Sequence, residues 1–378
     1  MKPLGFRLIG PYKDISGIAS NLREFAIALS ETGVPVSLVD VQNVSPFKAT
    51  IDEITAKRLE VMAQTSPGES YVSIYMLPPE LVRLHDNKAK ANIFWTACET
   101  DKVPYVASLM MNSPNVTEVW AATNSSLNSF KMGGVNPDKL KLVSWGVDSV
   151  NFQPGNPSIA SLKEEGNFYF SYIGSLKTSA GFDVVLKAFY EEFKDDEKAK
   201  LLFKAFVGNV EPDKERELIR NVIGKFKGDS KAEVVYVPGN MDVTSLRSLF
   251  HTGDCFVSTP RAKAWNTGVI RSMAAGVPVI TNVNTGNRAY TNHQNAILIG
   301  SSSNKIADID WLINNPLQQE HSWWEPNLAE LKSAMRKVYS KETDVEAIRT
   351  AARKEALKLD WKRIAMEVIK NVKQYGDK

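Results

Sequence analysis

Residues 254–282, DCFVSTPRAKAWNTGVIRSMAAGVPVITN, constrain the fold more tightly than any other stretch of the chain. The run Cys255-Phe256-Val257 is apolar and is bounded by Ser258, Thr259 and Pro260, which predicts a short buried strand ending in a turn. A loop over 261–266 follows. Residues 267–275 then place Val269, Ile270 and Met273 at helical spacing, with Asn266 or Thr267 available as the N-cap. Gly276 supplies the left-handed residue that closes such a helix, and 277–281 is the next strand. Strand, loop, helix and strand together make one unit of a parallel α/β sheet. In open sheets of this kind, ligands bind at the carboxyl ends of the strands, where the helix N-terminus points. Its free N–H groups attract phosphate. Lys263 lies in the loop just before that helix and Arg271 in its second turn, so two cations stand near a ready anion site. The plainer alternative is a solvated Lys263 and an Arg271 that only decorates the helix.

A chain of 378 residues is long enough for two domains, each with its own core. The net charge of +3, from 46 basic and 43 acidic side chains, gives no indication of nucleic acid. No run is long and apolar enough to span a bilayer, which leaves only peripheral membrane contact open. The N-terminus runs into a strand over 6–10 without the apolar core of a signal peptide. Cys98 and Cys255 sit in apolar settings and read as buried free thiols of a reducing, cytoplasmic compartment. The four histidines are scattered, so no zinc site is expected.

In chain order, the opening strand leads into a polar glycine loop from Gly10 to Gly17 and a helix over 18–32 with Ala19, Leu22, Phe25, Ala26 and Leu29 on one face. This βαβ opening lacks the G-x-G-x-x-G fingerprint of dinucleotide binders. Either the two glycines shape a ligand loop or they only shape a turn. Strands are expected over 36–39, 72–76, 92–97, 118–121 and 140–144. After the strand 92–97 come Glu99 and Asp101, carboxylates that can order a hydroxyl or take its proton. The competing role is capping of a helix over 105–111, which suits Asp101 better than Glu99. The second half continues with strands over 167–173, 201–207, 234–237 and 295–299. Helices alternate with them over 182–193, 213–226 and 242–251, and later over 306–313, 328–339, 345–357 and 361–375.

Three stretches carry a resemblance. Trp265, Ser272-Met273-Ala274-Ala275-Gly276 and Val277-Pro278-Val279-Ile280 fall in step with the donor-site signature of GT-B glycosyltransferases, in the large retaining family marked by two glutamates with seven residues between them. Gly146-Val147-Asp148-Ser149-Val150-Asn151-Phe152-Gln153-Pro154 resembles that family's interdomain linker, in which the phenylalanine plugs the interdomain gap. Gly174-Ser175-Leu176-Lys177-Thr178-Ser179-Ala180-Gly181 resembles its pyrophosphate loop. The family's charged positions are all replaced. Its arginine and lysine map to Ser175 and Ala180, and its two glutamates map to Lys263 and Arg271.

The resemblance covers nearly the whole chain and implies an α/β fold of GT-B architecture, two doubly wound Rossmann-like domains facing a cleft. It places an acceptor-side domain at 1–154, a nucleotide-sugar domain at 155–345, and closing helices at 346–378, the last crossing back to the first domain. It further implies transfer of a hexose-type sugar from a nucleotide sugar to a hydroxyl acceptor (a glycan, a lipid-linked group or a small molecule), with retention and with no cofactor or metal. On the donor side it points to Gly174, Ser175, Lys177, Lys263, Trp265, Asn266, Thr267, Gly268 and Arg271. On the acceptor side it points to Gly10, Gly17, Glu99 and Asp101, with Glu99 and Lys263 as the catalytic pair. The family's four charges sum to zero, whereas Ser175, Ala180, Lys263 and Arg271 sum to +2, so a phosphate or an acidic sugar suits this chain. Arginine and lysine donate but do not accept, so the family's contacts to ribose and sugar hydroxyls are lost. A catalytically silent relative that binds or stabilises an active transferase is the alternative.

Overall fold

Parallel strands buried on both faces need nearly continuous apolar runs. The chain supplies such runs twice. The computed structural model describes residues 4–42, 48–81, 85–193, 198–207 and 210–376. These form two compact units, one of residues 1–148 with 358–378 and the other of residues 149–357.

In the first unit the strands are β1 (Gly5–Gly10), β2 (Val36–Asp40), β3 (Tyr71–Tyr75), β4 (Asn92–Thr96), β5 (Glu118–Ala121) and β6 (Leu140–Leu142). They form one parallel sheet in the order β2-β1-β3-β4-β5-β6. Helix Gly17–Ser30 buries Ala19, Leu22, Phe25, Ala26 and Leu29, the face expected from its periodicity, and Ser16 caps it. The order reverses between β1 and β3, and there the chains approach closely. A side chain at Gly10 would lie 2.5 Å from the Met76 carbonyl oxygen, so only glycine fits.

Helix Trp361–Val372 belongs to this unit. Its anchor is Trp361, 2% exposed, which sits edge-on to Trp95 at 6.1 Å and packs against Phe25 at 5.7 Å. The indole N–H donates to Glu24 at 2.8 Å. A Cβ at Gly146 would meet the Trp361 ring at 2.7 Å, which explains the glycine at the end of that segment.

The second unit holds β7 (Phe168–Ser175), β8 (Ala199–Phe206), β9 (Glu233–Tyr236), β10 (Cys255–Ser258), β11 (Val279–Asn282) and β12 (Ile297–Ile299). The sheet is again parallel, in the order β12-β11-β10-β7-β8-β9. From β7 the chain winds outward through β8 to β9, then returns to the other side of β7 with β10. That reversal puts the switch point between β7 and β10. Ligands of doubly wound sheets bind beside such a point, in the loops that leave the strands' carboxyl ends.

A hairpin of β13 (Ser301–Lys305) and β14 (Ser322–Pro326) stands apart from this sheet. The helix expected over 306–313 forms later, at Ile309–Asn314, because the Ile306 N–H donates to the His321 carbonyl at 3.0 Å beside the hairpin and Asp308 caps the helix start.

Phe152, expected to plug an interdomain gap, is described by its partners within one unit. It lies in the second unit, 1% exposed, with its ring edge-on to Phe250 at 5.6 Å. Arg353 fastens the segment there by donating to the carbonyls of Ser149 (2.9 Å) and Ala274 (2.7 Å).

Helix Val243–Phe250 ends at His251, whose imidazole is half-buried. Its Nε2 has no hydrogen-bond partner among the described residues, and burial pushes its pKa below the ordinary 6.5. The unfolded chain therefore takes up this proton at higher pH than the folded one. The stability that His251 contributes is present above the unfolded value and is lost as the pH falls. Between about pH 7 and pH 5 the unfolding midpoint of His251→Gln should fall less steeply than that of the wild type.

Candidate functional site

The loop after β7 is shaped by a buried tyrosine. Tyr172 donates its hydroxyl to the Ser175 carbonyl at 2.9 Å, and burial pushes its pKa well above the ordinary phenol value. A Cβ at Gly174 would lie 2.6 Å from that hydroxyl. Gly174 therefore lets the strand end bend over Tyr172, and Ser175 is fixed through its backbone. Lys177 follows, exposed and with no ion pair or hydrogen bond among the described residues. Ala180 is buried at the end of a short 3-10 turn.

Gly181 then takes φ +74°, and a Cβ there would lie 2.0 Å from the Thr259 carbonyl oxygen. Two switch-point loops touch at this glycine. Gly181→Ala should destabilise the second unit by about 2 kcal/mol, through left-handed strain and the clash with backbone. Urea unfolding of the variant against the wild type measures it.

The loop after β10 is locked to the first one by Arg261, 7% exposed. Its backbone N–H and that of Ala262 both donate to the Ser179 carbonyl, at 2.9 and 3.0 Å. Its guanidinium makes a two-pronged contact with Asp183, 2.8 Å on each arm, and a second with Glu325 at 2.6 and 2.8 Å. A further bond reaches the Thr178 carbonyl at 2.8 Å. Burial opposes the charge, but the hydrogen bonds to Asp183 and Glu325 outweigh it and raise the guanidinium pKa.

Between Arg261 and helix Thr267–Ala274 lie the candidate donor residues. Lys263 is half-buried, and its ammonium makes no hydrogen bond or ion pair among the described residues. Its carbonyl accepts from the Gly286 N–H at 2.8 Å, and a Cβ at Gly286 would lie 1.9 Å from the Ala264 carbonyl oxygen. The backbone around Lys263 is thus held while its side chain is left available. Trp265, 5% exposed, packs on Tyr290 with ring centroids 4.9 Å apart.

Asn266 is the N-cap, accepting from the Val269 N–H at 3.4 Å, while its amide donates to Ser258 at 3.0 Å. The Tyr290 hydroxyl donates to the Asn266 carbonyl at 2.8 Å. Thr267 and Gly268 begin the helix, and a Cβ at Gly268 would crowd the Phe256 ring at 2.9 Å. The helix N-terminus is therefore rigidly presented. Cap and cation sit at the end of the sheet where an anion gains from the helix dipole.

Arg271, expected as a phosphate ligand, lies in the second turn of that helix. It is 9% exposed, with its guanidinium 4.8 Å above the Phe152 ring. The structure thus groups Lys263, Trp265, Asn266, Thr267 and Gly268 in one segment and ties that segment to the loop of Gly174, Ser175 and Lys177. Arg271 instead packs on the segment 149–154.

Gly10, Gly17, Glu99 and Asp101 belong to the first unit. Gly17 is exposed and opens the helix that Ser16 caps. Glu99 and Asp101 are exposed in the loop after β4, which Ser129 holds by donating to the Thr100 carbonyl at 2.7 Å. The helix Tyr105–Met111 starts after Pro104, which has no side chain able to cap it. Among the described residues no three His, Cys, Asp or Glu side chains are grouped as a metal site requires. None of the described helices is long and apolar enough to cross a membrane.

Sequence reading missed Arg261, Asp183, Glu325 and Tyr290.

Comparison with known structures settles the architecture. Sucrose-phosphate synthase from Thermosynechococcus elongatus superposes with a TM-score of 0.68 at 14% identity, covering 99% of each chain. HepE of Anabaena in complex with UDP-glucose superposes with a TM-score of 0.62 at 12% identity, covering 98% of this chain and all of that one. This chain has the GT-B fold. The GT-B chain is also similar to WaaG, a glycosyltransferase involved in lipopolysaccharide biosynthesis, with a TM-score of 0.60 at 12% identity over 97% of this chain and 99% of that one. Residues 167–315, which span β7 to β12 of the GT-B chain, match the sequence model for glycosyl transferases group 1. No curated protein matches in sequence.

Proposed function

We propose that the protein is a glycosyltransferase moving a hexose-type sugar from a nucleotide sugar to a hydroxyl acceptor, with retention and without a metal. The observation that carries this is the coincidence of two signals in the second unit. The group 1 transferase match covers its sheet, and in that sheet's switch-point loop Lys263, without an ion pair or hydrogen bond among the described residues, shortly precedes the capped N-terminus of helix Thr267–Ala274. A cation and a helix dipole together stabilise a departing diphosphate without a metal ion. Lys263 and Lys177 take the phosphates, with the Gly268 amide offered to them at the start of the helix, and Trp265 walls the pocket. Glu99 and Asp101 are the carboxylates offered to the acceptor, with Glu99 taking its proton. We place it in the cytoplasm, the compartment that suits its two buried free thiols.

The packing of Arg271 on Phe152 favours a second reading, a silent relative that binds an active transferase. The family's second glutamate position here serves the core of the unit and offers no acceptor to a ribose.

Thermal unfolding of the purified chain with UDP, GDP, ADP and UDP-glucose separates the two, since a ligand of the folded state raises the midpoint by mass action. UDP is the first to try because HepE is seen with it. A shift of several degrees with one diphosphate at millimolar concentration supports the enzyme reading. An unchanged midpoint with all four supports the silent one.

A further inference from the structure

Away from the switch point, the far edge of the second sheet carries an open groove of about 720 Å³ between helix Pro212–Lys227 and β9. Its floor is apolar, formed by Ile219 and Ile223 of the helix and by Val234 and Tyr236 of the strand. Its rim is cationic, with Arg216, Arg220, Lys227 and Lys231. The sole acid of the lining, Glu233, is already paired with Lys200. Arg216 spends part of its charge on Asp213 at 3.3 Å, whereas Arg220 and Lys227 make no ion pair or hydrogen bond among the described residues. The groove therefore asks for negative charge. β9 is also the last strand of its sheet, and no strand pairs with its outer side among the described residues. Unpaired edges are where extended segments add.

The spacing of the cations identifies the occupant. A single phosphate or lipid headgroup wants cations that converge on a point. Here Arg216, Arg220 and Lys227 are strung along the helix over about 16 Å, from its rise per residue. An extended chain covers that length in about five residues, with every second side chain on the same side. The geometry points to an acidic, extended peptide segment of a partner protein, lying along β9 with aliphatic side chains on Ile219, Ile223, Val234 and Tyr236 and carboxylates against Arg220 and Lys227. This surface is independent of the sugar-transfer reading, because no residue in it belongs to the loops after β7 and β10.

The test uses fluorescence anisotropy of the 378-residue chain with a labelled peptide of alternating glutamate and valine. Saturable binding is expected, weakened about tenfold in the double variant Arg220→Glu/Lys227→Glu, which should keep the wild-type unfolding midpoint because both side chains are exposed. The same peptide with alternate backbone amides N-methylated should also bind about tenfold more weakly, since it cannot complete the strand ladder. The proposal is overturned if no peptide binding is seen, if the variant binds as the wild type does, or if a lysine–valine peptide binds equally well. Undiminished binding of the N-methylated peptide overturns it too. Binding to vesicles of anionic phosphatidylglycerol without binding to the peptide would assign the groove to lipid and overturn the peptide reading.

Discussion

Arg261→Met should lower the stability of the second unit by about 3 kcal/mol, one of the two largest effects expected in this protein. The reason is not the loss of a favourable ion pair as such. A buried pair contributes little net stability, because desolvation consumes most of the Coulombic gain. Breaking it from one side is a different matter. Removing the guanidinium leaves Asp183 and Glu325, whose side chains are only 24% and 36% exposed, facing each other without a cation. It also strips a donor from the Thr178 carbonyl. The partial exposure of both acids keeps the cost near the lower end of the range for buried pairs.

For a unit of this size, about 3 kcal/mol corresponds to a fall of roughly 6 to 12 °C in the unfolding midpoint. Arg261→Lys should recover less than half, since an ammonium cannot make two parallel two-pronged contacts. If the cost arises from stranded carboxylates, adding Glu325→Gln to Arg261→Met should restore part of the stability, which differential scanning calorimetry of the single and double variants measures. A double variant no more stable than Arg261→Met would show that Arg261 acts through packing alone.

That lock was not legible in the sequence, and the reason is general. Residues 183, 261 and 325 are far apart in the chain, and nothing local marks them as partners. The stretch 255–282 could be read in detail because its signals are local. A strand run, an Asn cap, helical spacing and a closing glycine each act within a few residues, and β10, the helix Thr267–Ala274 and β11 follow them closely. The hairpin of β13 and β14 was missed for the opposite reason. Ser301-Ser302-Ser303-Asn304-Lys305 has no apolar alternation and becomes a strand only by pairing with Ser322–Pro326. Phe152 shows a third limit. Its motif is recognisable, but the partners that hold the residue, Phe250 and Arg353, lie outside the motif.

Lys263→Glu should weaken binding of a nucleoside diphosphate by about a hundredfold, and Lys263→Ala by about tenfold. A hydrogen bond between charged groups contributes roughly 1.5 to 3 kcal/mol, so its loss alone gives the smaller factor, and a carboxylate beside phosphate adds repulsion to reach the larger. Lys263 is singled out because it is the half-buried cation of the switch-point loops without an ion pair or hydrogen bond among the described residues. Arg261 is spent on Asp183 and Glu325, and Arg271 is packed on Phe152. Lys177 is exposed, and Lys177→Ala should cost less than Lys263→Ala because solvent and salt screen an exposed charge. Isothermal titration with UDP at two ionic strengths reads both effects. The Lys263 contribution should persist at high salt and the Lys177 contribution should fade. Neither substitution removes a contact that holds the loop, whose position depends on the backbone bonds of Lys263 and Gly286 and on Arg261, so unfolding midpoints should stay at the wild-type value. Equal affinity of Lys263→Glu and wild type would mean that the diphosphate lies elsewhere, and it would leave the capped helix without the cation on which the metal-free reading depends.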